Sequence, residues 1–253
     1  MFRKYFAMVA CVVMQGPGLA HAETTLVAVA ANFVGAAENI SAAFHHETGY
    51  DAQITTGSTG KLYAQIVEGA PFEVLLSADV KTPEKLVGEG LAVAQSSFTY
   101  AVGGLTLWSV DAGLIGADAK VALGSDKIRF LAIANPDLAP YGVAAKETLT
   151  HLGIWAEVQP KIVLGQNIGQ VFAMASTGAA DAAFIASSAL VGPDAPLTGS
   201  RLDVPQEMFT PIRQDAVLLD KGKNNAAAVA FLAFLKGDKA KEIITHFGYH
   251  LPE

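Results

Sequence analysis

The sequence predicts an α/β fold in two lobes, each built on a parallel-mixed sheet, with two crossover segments joining them. Short apolar segments typical of buried strands alternate with amphipathic helical segments along most of the chain. Two extended segments, at 100–109 and 209–219, bracket an inserted β/α unit. Such an arrangement places a ligand cleft between two lobes that close about a hinge. A single continuous α/β domain is the alternative.

The first β/α series occupies the N-terminal part of the chain. Residues 26–30 are apolar without alternation, which is typical of a buried strand. Asn32 is expected to cap the following helix, in which apolar side chains recur at helical spacing as far as about His46. Glycine and proline positions then predict strands at 51–56 and 74–77, and helices at 61–68 and from 82 onward.

The second series begins with residues 100–109, which we predict to be one long apolar strand with a flexible break at Gly103 and Gly104. The periodicity that follows predicts strands at 128–134, 161–164 and 182–186, with helices at 142–152 and 169–177. An extended segment at 215–219 and helices at 224–235 and 239–247 end the chain. We therefore predict lobe I at 23–103 and 209–253, and lobe II at 104–208.

The first 22 residues have the features of a secretory signal. Arg3 and Lys4 precede an apolar run of about ten residues, whereas a membrane-spanning helix needs roughly twenty. Small residues at 20–22 favour cleavage before Glu23, so we predict export without stable membrane insertion. Cys11 would leave with the signal, so the mature chain has no disulfide and no thiol nucleophile.

The charge of the mature chain narrows the class of partner. Removing Arg3 and Lys4 from the 17 basic side chains leaves 15 against 24 acidic ones, a formal charge of −9. An acidic surface argues against nucleic acid and anionic membranes as partners. An anionic ligand would have to be attracted by local dipoles, because the net charge repels it.

Four predicted strand-to-helix turns could supply such dipoles. They share small and capping residues, and they lie at 30–33, 57–60, 135–142 and 166–169. A helix N-terminus leaves backbone N–H groups unpaired and carries a partial positive charge. One such turn is usually no more than a helix cap. Several turns meeting at the carboxyl ends of strands would bind an anion without lysine or arginine.

Other functional motifs are incomplete. Residues 57–62 resemble the end of a P-loop, but Thr55 and Leu62 stand where that motif needs Gly and Ser or Thr. The histidines show no metal-ligand spacing with carboxylates, and Ser187 and Ser188 lack a nucleophile-elbow setting. No carboxylate pair stands out as a general acid and base. We expect a binding protein without a cofactor, with an exported enzyme as the less favoured alternative.

Five segments carry a family resemblance that covers essentially the whole mature chain. They are VAANF at 29–33, GSTGKLYAQIVEGAP at 57–71, LLSAD at 75–79, NPDLAPYGVAAKETL at 135–149 and NNAAAVAFLAFLKG at 224–237. Together they resemble the periplasmic molybdate-binding proteins of ABC transporters, often called ModA. The resemblance implies a type II periplasmic binding protein fold and a monomer in the periplasm. It also implies a molybdate or tungstate ligand, delivered to an ABC permease with its ATPase.

The resemblance also implies which residues touch the ligand. In that family, serine hydroxyls, backbone N–H groups and one tyrosine hydroxyl hold the oxyanion. The corresponding positions in this chain are Asn32, Thr59 with Ser58 beside it, and the backbone donors of Tyr141 and Ile168. Asn32 replaces the usual first serine, and Ala186 stands where the usual tyrosine would donate. We hypothesise that the Tyr141 hydroxyl or the Asn32 amide supplies the missing hydrogen bond.

Protonation distinguishes between the candidate anions. Phosphate near neutral pH often keeps a proton, so a selective site needs an acceptor, whereas molybdate, tungstate and sulfate need donors only. None of the four turns has an aspartate at its helix start, although Asp137 lies just before Pro140. We therefore expect a fully deprotonated dianion, captured by closure of the lobes. Another small anion, such as sulfate, or a metabolite on the same fold is the alternative.

Overall fold

A computed structural model describes residues 23–191, 195–196 and 198–252, so the predicted signal at 1–22 lies outside the described residues. Within that part of the chain, the strands form two five-stranded sheets of mixed direction. This architecture confirms the predicted α/β fold with two mixed sheets. The strands of the two series thus belong to separate sheets, whereas the sequence leaves the alternative of a single continuous α/β domain open.

The elements of the first series alternate strand and helix: β1 (Thr24–Ala30), α1 (Val34–Thr48), β2 (Asp51–Gly57), α2 (Thr59–Val67), β3 (Val74–Leu76), α3 (Lys81–Gly88) and β4 (Phe98–Gly103). The inserted series contains β5 (Leu105–Ser109), α4 (Ala119–Gly124), β6 (Leu131–Ala134), α5 (Pro140–His151), α6 (Trp155–Val158), β7 (Ile162–Gly165), α7 (Ile168–Ser176), β8 (Ala182–Ala186) and β9 (Ser200–Asp203). The chain returns through β10 (Ile212–Leu218) and continues into α8 (Ala226–Leu235) and α9 (Asp238–His246).

The chain passes twice between the two sheets. Sheet I has the order β2-β1-β3-β10-β4, and sheet II has the order β7-β6-β8-β5-β9. In each sheet three neighbouring strands run parallel, while β10 in sheet I and β5 in sheet II pair antiparallel with their neighbours. We use lobe I and lobe II for the parts built on these sheets, and the residue boundaries given above remain a proposal.

Sheet I is covered on both faces, and β1 shows why. Val27 and Val29 pack with α1, α8 and α9, whereas Ala28 between them packs with α2 and α3 on the opposite face. Alternate side chains of a strand point to opposite faces, so a strand buried on both sides is apolar throughout. On the first face Phe44 meets Phe231 edge to face, with ring centroids 5.3 Å apart.

Two predictions of local structure are wrong. Residues 100–109 are two strands in different sheets, because β4 ends at Gly103 and β5 begins at Leu105. The glycines between them are sites of close packing: a β-carbon on Gly104 would lie 2.7 Å from the Ser187 hydroxyl oxygen. Asn32 is not a helix cap, because residues 31–33 form a 3-10 turn without a side-chain cap before α1 begins. The sequence prediction also missed α4, α6 and β9, which are too short to show a period.

Candidate functional site

The four predicted turns meet around one small cavity between the lobes. Its volume is about 10 Å³, which is roughly the space of a single water molecule. Apart from Ala78, which follows β3, its lining comes from those turns: Ala30, Ala31, Asn32, Ser58, Thr59, Ala139, Pro140, Tyr141, Asn167 and Ile168. All five predicted ligand residues are in this set. The structure therefore brings together residues of both lobes at the carboxyl ends of β1, β2, β6 and β7.

Three helices direct their first turns at the cavity. Thr59 begins α2, Tyr141 is the second residue of α5, and Ile168 begins α7. First-turn amides have no intrahelical acceptor, and within the described residues these three amides find no other backbone acceptor. The cavity thus receives unpaired N–H groups and the positive ends of three helix dipoles.

Ser58 has the clearest geometry for ligand contact. It occupies the N-cap position of α2 in extended conformation, but its side chain makes no capping hydrogen bond. The residue is 3% exposed, and its hydroxyl is one of the buried side-chain groups with no partner among the described residues. Leaving such a group unpaired costs about 1–3 kcal/mol. A ligand oxygen in the cavity would remove that cost.

Thr59 combines a structural contact with a position at the cavity. Its hydroxyl oxygen accepts a hydrogen bond of 3.1 Å from the backbone N–H of Ala78. This bond ties the start of α2 to the segment after β3, and the hydroxyl proton remains available for a ligand. Thr59 was predicted as the direct hydroxyl contact, and Ser58 beside it has the hydroxyl that is free of protein partners.

Asn32 and Tyr141 present their side chains away from ligand contact. The Asn32 amide donates to the Gln214 side-chain oxygen at 2.8 Å and to the Tyr249 hydroxyl at 3.2 Å, which occupies both of its hydrogens. The Tyr141 hydroxyl is buried against Gly103 and Gln214, neither of which lines the cavity. The Asn32 amide therefore has no hydrogen left to donate to a ligand, and the Tyr141 hydroxyl is directed at Gly103. Replacement of the missing donor by either side chain remains a prediction that this geometry does not favour.

Ala186 lies outside the small cavity. It lines a neighbouring apolar cavity of about 200 Å³ together with Phe172 and Phe247. Residues 31, 32 and 168 border both cavities. Ala186 therefore contributes to an apolar wall beside the small cavity.

The electrostatics of the cavity suit an anion that carries no proton. Its lining contains no aspartate, glutamate, histidine, lysine or arginine. Burial raises the pKa of Tyr100 and Tyr141 well above the ordinary value, and it raises the pKa of Tyr249 to about 12. These phenols are neutral at physiological pH, so they place no negative charge beside the donors of the cavity.

The described residues contain no cluster of three or more histidine, cysteine, aspartate or glutamate side chains that could hold a metal ion. A search of the same residues for a helix long and apolar enough to cross a membrane also finds none. The cavity itself offers hydrogen-bond donors, and these suit an oxyanion.

Sequence reasoning missed the residues that surround Asn32. Tyr100, Gln214 and Tyr249 form a buried polar group behind it, and Ser188 of lobe II hydrogen-bonds with the Tyr249 hydroxyl at 2.9 Å. These residues are far apart along the chain, so no local motif contains them. The one sign of this polar group in the sequence was Gln214, a glutamine within an extended segment. The structure buries this residue completely, and a buried polar residue needs hydrogen-bond partners.

Comparison with known proteins assigns the chain to a family. Residues 25–250 match the family described as bacterial extracellular solute-binding protein. The molybdate-binding protein ModA of Rhodobacter capsulatus is 46% identical over 230 residues, covering 91% of this chain and 89% of that protein. ModA of Azotobacter vinelandii is 46% identical over 251 residues, covering 97% and 99%. The solved structure of the Azotobacter vinelandii periplasmic molybdate-binding protein superposes with a TM-score of 0.86 at 41% identity, covering 90% of this chain and all of that one.

The fold, the cleft site and the family match define a bacterial extracellular solute-binding protein. The named relatives are molybdate-binding proteins. Within that class, the chain belongs to the ModA family of molybdate-binding proteins.

Proposed function

We propose that this protein captures a tetrahedral oxyanion, molybdate or tungstate, in the cavity between its lobes for uptake by an ABC transporter. The observation that carries the proposal is the unpaired, buried Ser58 hydroxyl at a cavity surrounded by first-turn amides. ModA relatives that bind molybdate support the same ligand for this chain. Asn32, Thr59, Tyr141 and Ile168 complete the proposed ligand shell, with Tyr141 and Ile168 acting through their backbone N–H groups.

The donor set favours a dianion without protons. Hydrogen phosphate would place its own hydroxyl against the cavity wall, where no carboxylate lining the cavity can accept it. Molybdate, tungstate and sulfate present acceptors on every side. Sulfate has the same charge and shape, so it is the second candidate, and cavity size decides between them.

Capture would proceed by closure of the lobes over the anion. Direct contacts already link the two sides of the cleft: the Gly60 N–H donates to the Leu138 carbonyl at 2.9 Å, and Ser188 bonds with Tyr249. An anion that contacts both lobes binds the closed form better than the open form and shifts the population toward it. A permease with its ATPase would then recognise the closed form.

We infer further that the protein works in the periplasm as a monomer and without a chemical step. Export is supported by the signal features of residues 1–22. The cavity lining has hydroxyls but no histidine or carboxylate to activate them, and this arrangement favours binding over catalysis. Mass spectrometry of the periplasmic fraction should find a mature chain that starts at Glu23.

A ligand panel tests the proposal directly. Thermal unfolding is measured with molybdate, tungstate, sulfate, phosphate and chromate at several concentrations. A ligand at 100 times its Kd stabilises the folded state by about 2.7 kcal/mol. Molybdate and tungstate should raise the Tm progressively, and phosphate should not. If none of the five anions shifts the Tm, the proposed function is refuted. If sulfate alone shifts it, sulfate is the ligand in place of molybdate or tungstate.

A further inference from the structure

We propose that Gly103 and Gln214 form a socket at the hinge for the Tyr141 side chain, and that this hinge socket couples lobe closure to ligand binding. Gly103 and Gln214 are then positioning residues that act through Tyr141 and Asn32 without touching the ligand. The inference rests on the proposed function, since it concerns the closure that buries the anion.

The socket joins the lobes where the chain crosses between them. Tyr141 belongs to α5 of lobe II, whereas Gly103 ends β4 and Gln214 lies in β10 of lobe I. These two strands are the ones that lead to and from lobe II, and they pair directly, with a register shift between Gln214 and Asp215. A rotation of the lobes must therefore move the Tyr141 ring relative to its socket.

The fit of Tyr141 against Gly103 leaves no space for a larger residue. A β-carbon on Gly103 would collide with the Tyr141 hydroxyl, would lie 3.1 Å from the ring carbon Cζ, and would lie 3.0 Å from the Gln214 side-chain nitrogen. The Gly103 backbone is not in the left-handed region, so its conformation does not require glycine. The close approach of the tyrosine accounts for the glycine at this position.

Gln214 connects the socket with the ligand cavity. Its side-chain oxygen accepts from the Asn32 amide at 2.8 Å and from the Tyr100 hydroxyl at 3.3 Å. Asn32 lines the cavity on the lobe I side, and Tyr141 lines it on the lobe II side. One buried glutamine therefore contacts the residues that bring each lobe to the anion.

Two polar groups in the socket are held without well-aligned partners. The Gln214 side-chain nitrogen and the Tyr141 hydroxyl are both buried and make no hydrogen bond of regular geometry among the described residues, although Asn32 and Gln214 lie close enough to the hydroxyl to offset part of the rise that burial causes in its pKa. Such groups are unfavourable unless surrounding interactions hold them in place. The closed arrangement that seats Tyr141 therefore depends on contacts elsewhere, and a ligand bridging the lobes supplies them.

A double-mutant cycle tests the socket. Molybdate affinity is measured by titration calorimetry for the wild type, Gly103→Ala, Tyr141→Phe and Gly103→Ala/Tyr141→Phe. Gly116→Ala is the matched control, because no atom lies within 4 Å of the carbon that it adds. When Tyr141 keeps its hydroxyl, we expect Gly103→Ala to weaken molybdate binding roughly tenfold or more. In the Tyr141→Phe background, the same substitution should weaken binding by less than about threefold. The ligand-free Tm should match that of the control.

Small-angle X-ray scattering supplies a readout that a merely structural role would not change. Molybdate should compact the wild type and the control, and the same concentration should leave Gly103→Ala at its ligand-free radius of gyration. If Gly103→Ala does not fold, Gln214→Met serves in its place, because it keeps the volume but loses the bonds to Asn32 and Tyr100. It should weaken binding by roughly threefold to tenfold, consistent with the loss of about one net hydrogen bond.

The outcomes separate the socket from the proposed function. A wild type that binds no oxyanion would overturn both. Wild-type binding with unchanged affinity in Gly103→Ala, or in Gln214→Met if that variant is used, would overturn the socket alone. The socket alone would also be overturned if Gly103→Ala loses affinity and Tyr141→Phe does not relieve that loss. A ligand-free Tm that falls together with affinity would have the same meaning.

Discussion

Two polar regions lie side by side between the lobes, and they differ in how far their polar groups are hydrogen-bonded within the protein. The proposed anion cradle consists of the Ser58 and Thr59 side chains and the amides of Thr59, Tyr141 and Ile168. The hinge cluster consists of Asn32, Tyr100, Ser188, Gln214 and Tyr249. The cradle keeps donors that have no partner in the described part of the chain, whereas most polar groups of the hinge cluster bond to one another.

This difference shows how a neutral protein region can select an anion. Unpaired donors are useful only where a ligand accepts their hydrogen bonds. Paired polar groups are useful where the relative positions of two parts of the protein must be kept. The hinge cluster crosses between lobes through Ser188 and Tyr249, so it also helps to set the distance between the two halves of the cradle. Substitutions in the cradle should therefore change affinity directly, and substitutions in the hinge cluster should change stability, or change affinity through closure.

The largest effect on binding is expected for Ser58→Ala in the cradle. Losing a hydrogen bond to a charged ligand costs about 1.5–3 kcal/mol, which is roughly a 10- to 100-fold loss of affinity. The ligand-free protein should be no less stable, because the removed hydroxyl has no hydrogen-bond partner among the residues that the structure describes. Titration calorimetry measures the affinity, and Ser176→Ala on the exposed side of α7 is the control. Unchanged molybdate affinity would remove Ser58 from the cradle.

In the hinge cluster, Tyr249→Phe should act mainly on stability. Its hydroxyl donates to the Asn32 carbonyl at 2.6 Å and contacts the Ser188 hydroxyl. Removing it leaves buried polar groups unpaired, and we expect a loss of about 1–3 kcal/mol in the free energy of unfolding. Urea denaturation of the ligand-free protein measures this loss. If Tyr249→Phe keeps the wild-type urea midpoint and loses as much affinity as Ser58→Ala, the two regions do not differ in the way described.

A smaller effect on affinity is expected for Ser188→Ala, which weakens the link between the lobes. One net hydrogen bond contributes about 0.5–1.5 kcal/mol, so affinity should fall roughly 2- to 13-fold. The bond joins the two lobes, so we expect it to form only when they are closed, and ligand-free stability should then change less than for Tyr249→Phe, which also loses the bond to the Asn32 carbonyl. The dissociation rate, followed by stopped-flow fluorescence, should rise. A slower or unchanged dissociation rate would show that this contact does not hold the lobes together.

The smallest change is expected with pH. Among the described residues that line the cavity, Tyr141 alone has a titratable side chain, and burial raises its pKa well above the ordinary value. Affinity for tungstate or molybdate should therefore stay level between about pH 7 and 9. Stability should fall only above about pH 10. Tyr249 holds its proton more tightly when folded, with its pKa raised from 10.0 to about 12 by burial, so the stability it contributes is lost as the pH rises through that window. Thermal unfolding across the pH range checks both statements.

Much of the fold was predictable from local pattern. The β8 strand was predicted at its observed bounds, and α5, α7 and α8 were predicted within two residues at either end. The break at Gly103 and Gly104 was located correctly but misinterpreted as flexibility. Sequence alone does not show the Tyr141 hydroxyl and the Ser187 side chain that lie opposite these glycines.

The sequence by itself determined the α/β class and the four turns that open helices at the cleft. Strand and helix periods, glycine breaks and caps are properties of neighbouring residues, so they can be identified without coordinates. Tertiary structure alone decided that the Ser58 hydroxyl is left free, that the Asn32 side chain is engaged, and that Gly103 faces Tyr141. The bond between Asn32 and Tyr249 spans 217 positions, and such contacts depend on how the sheets pack together.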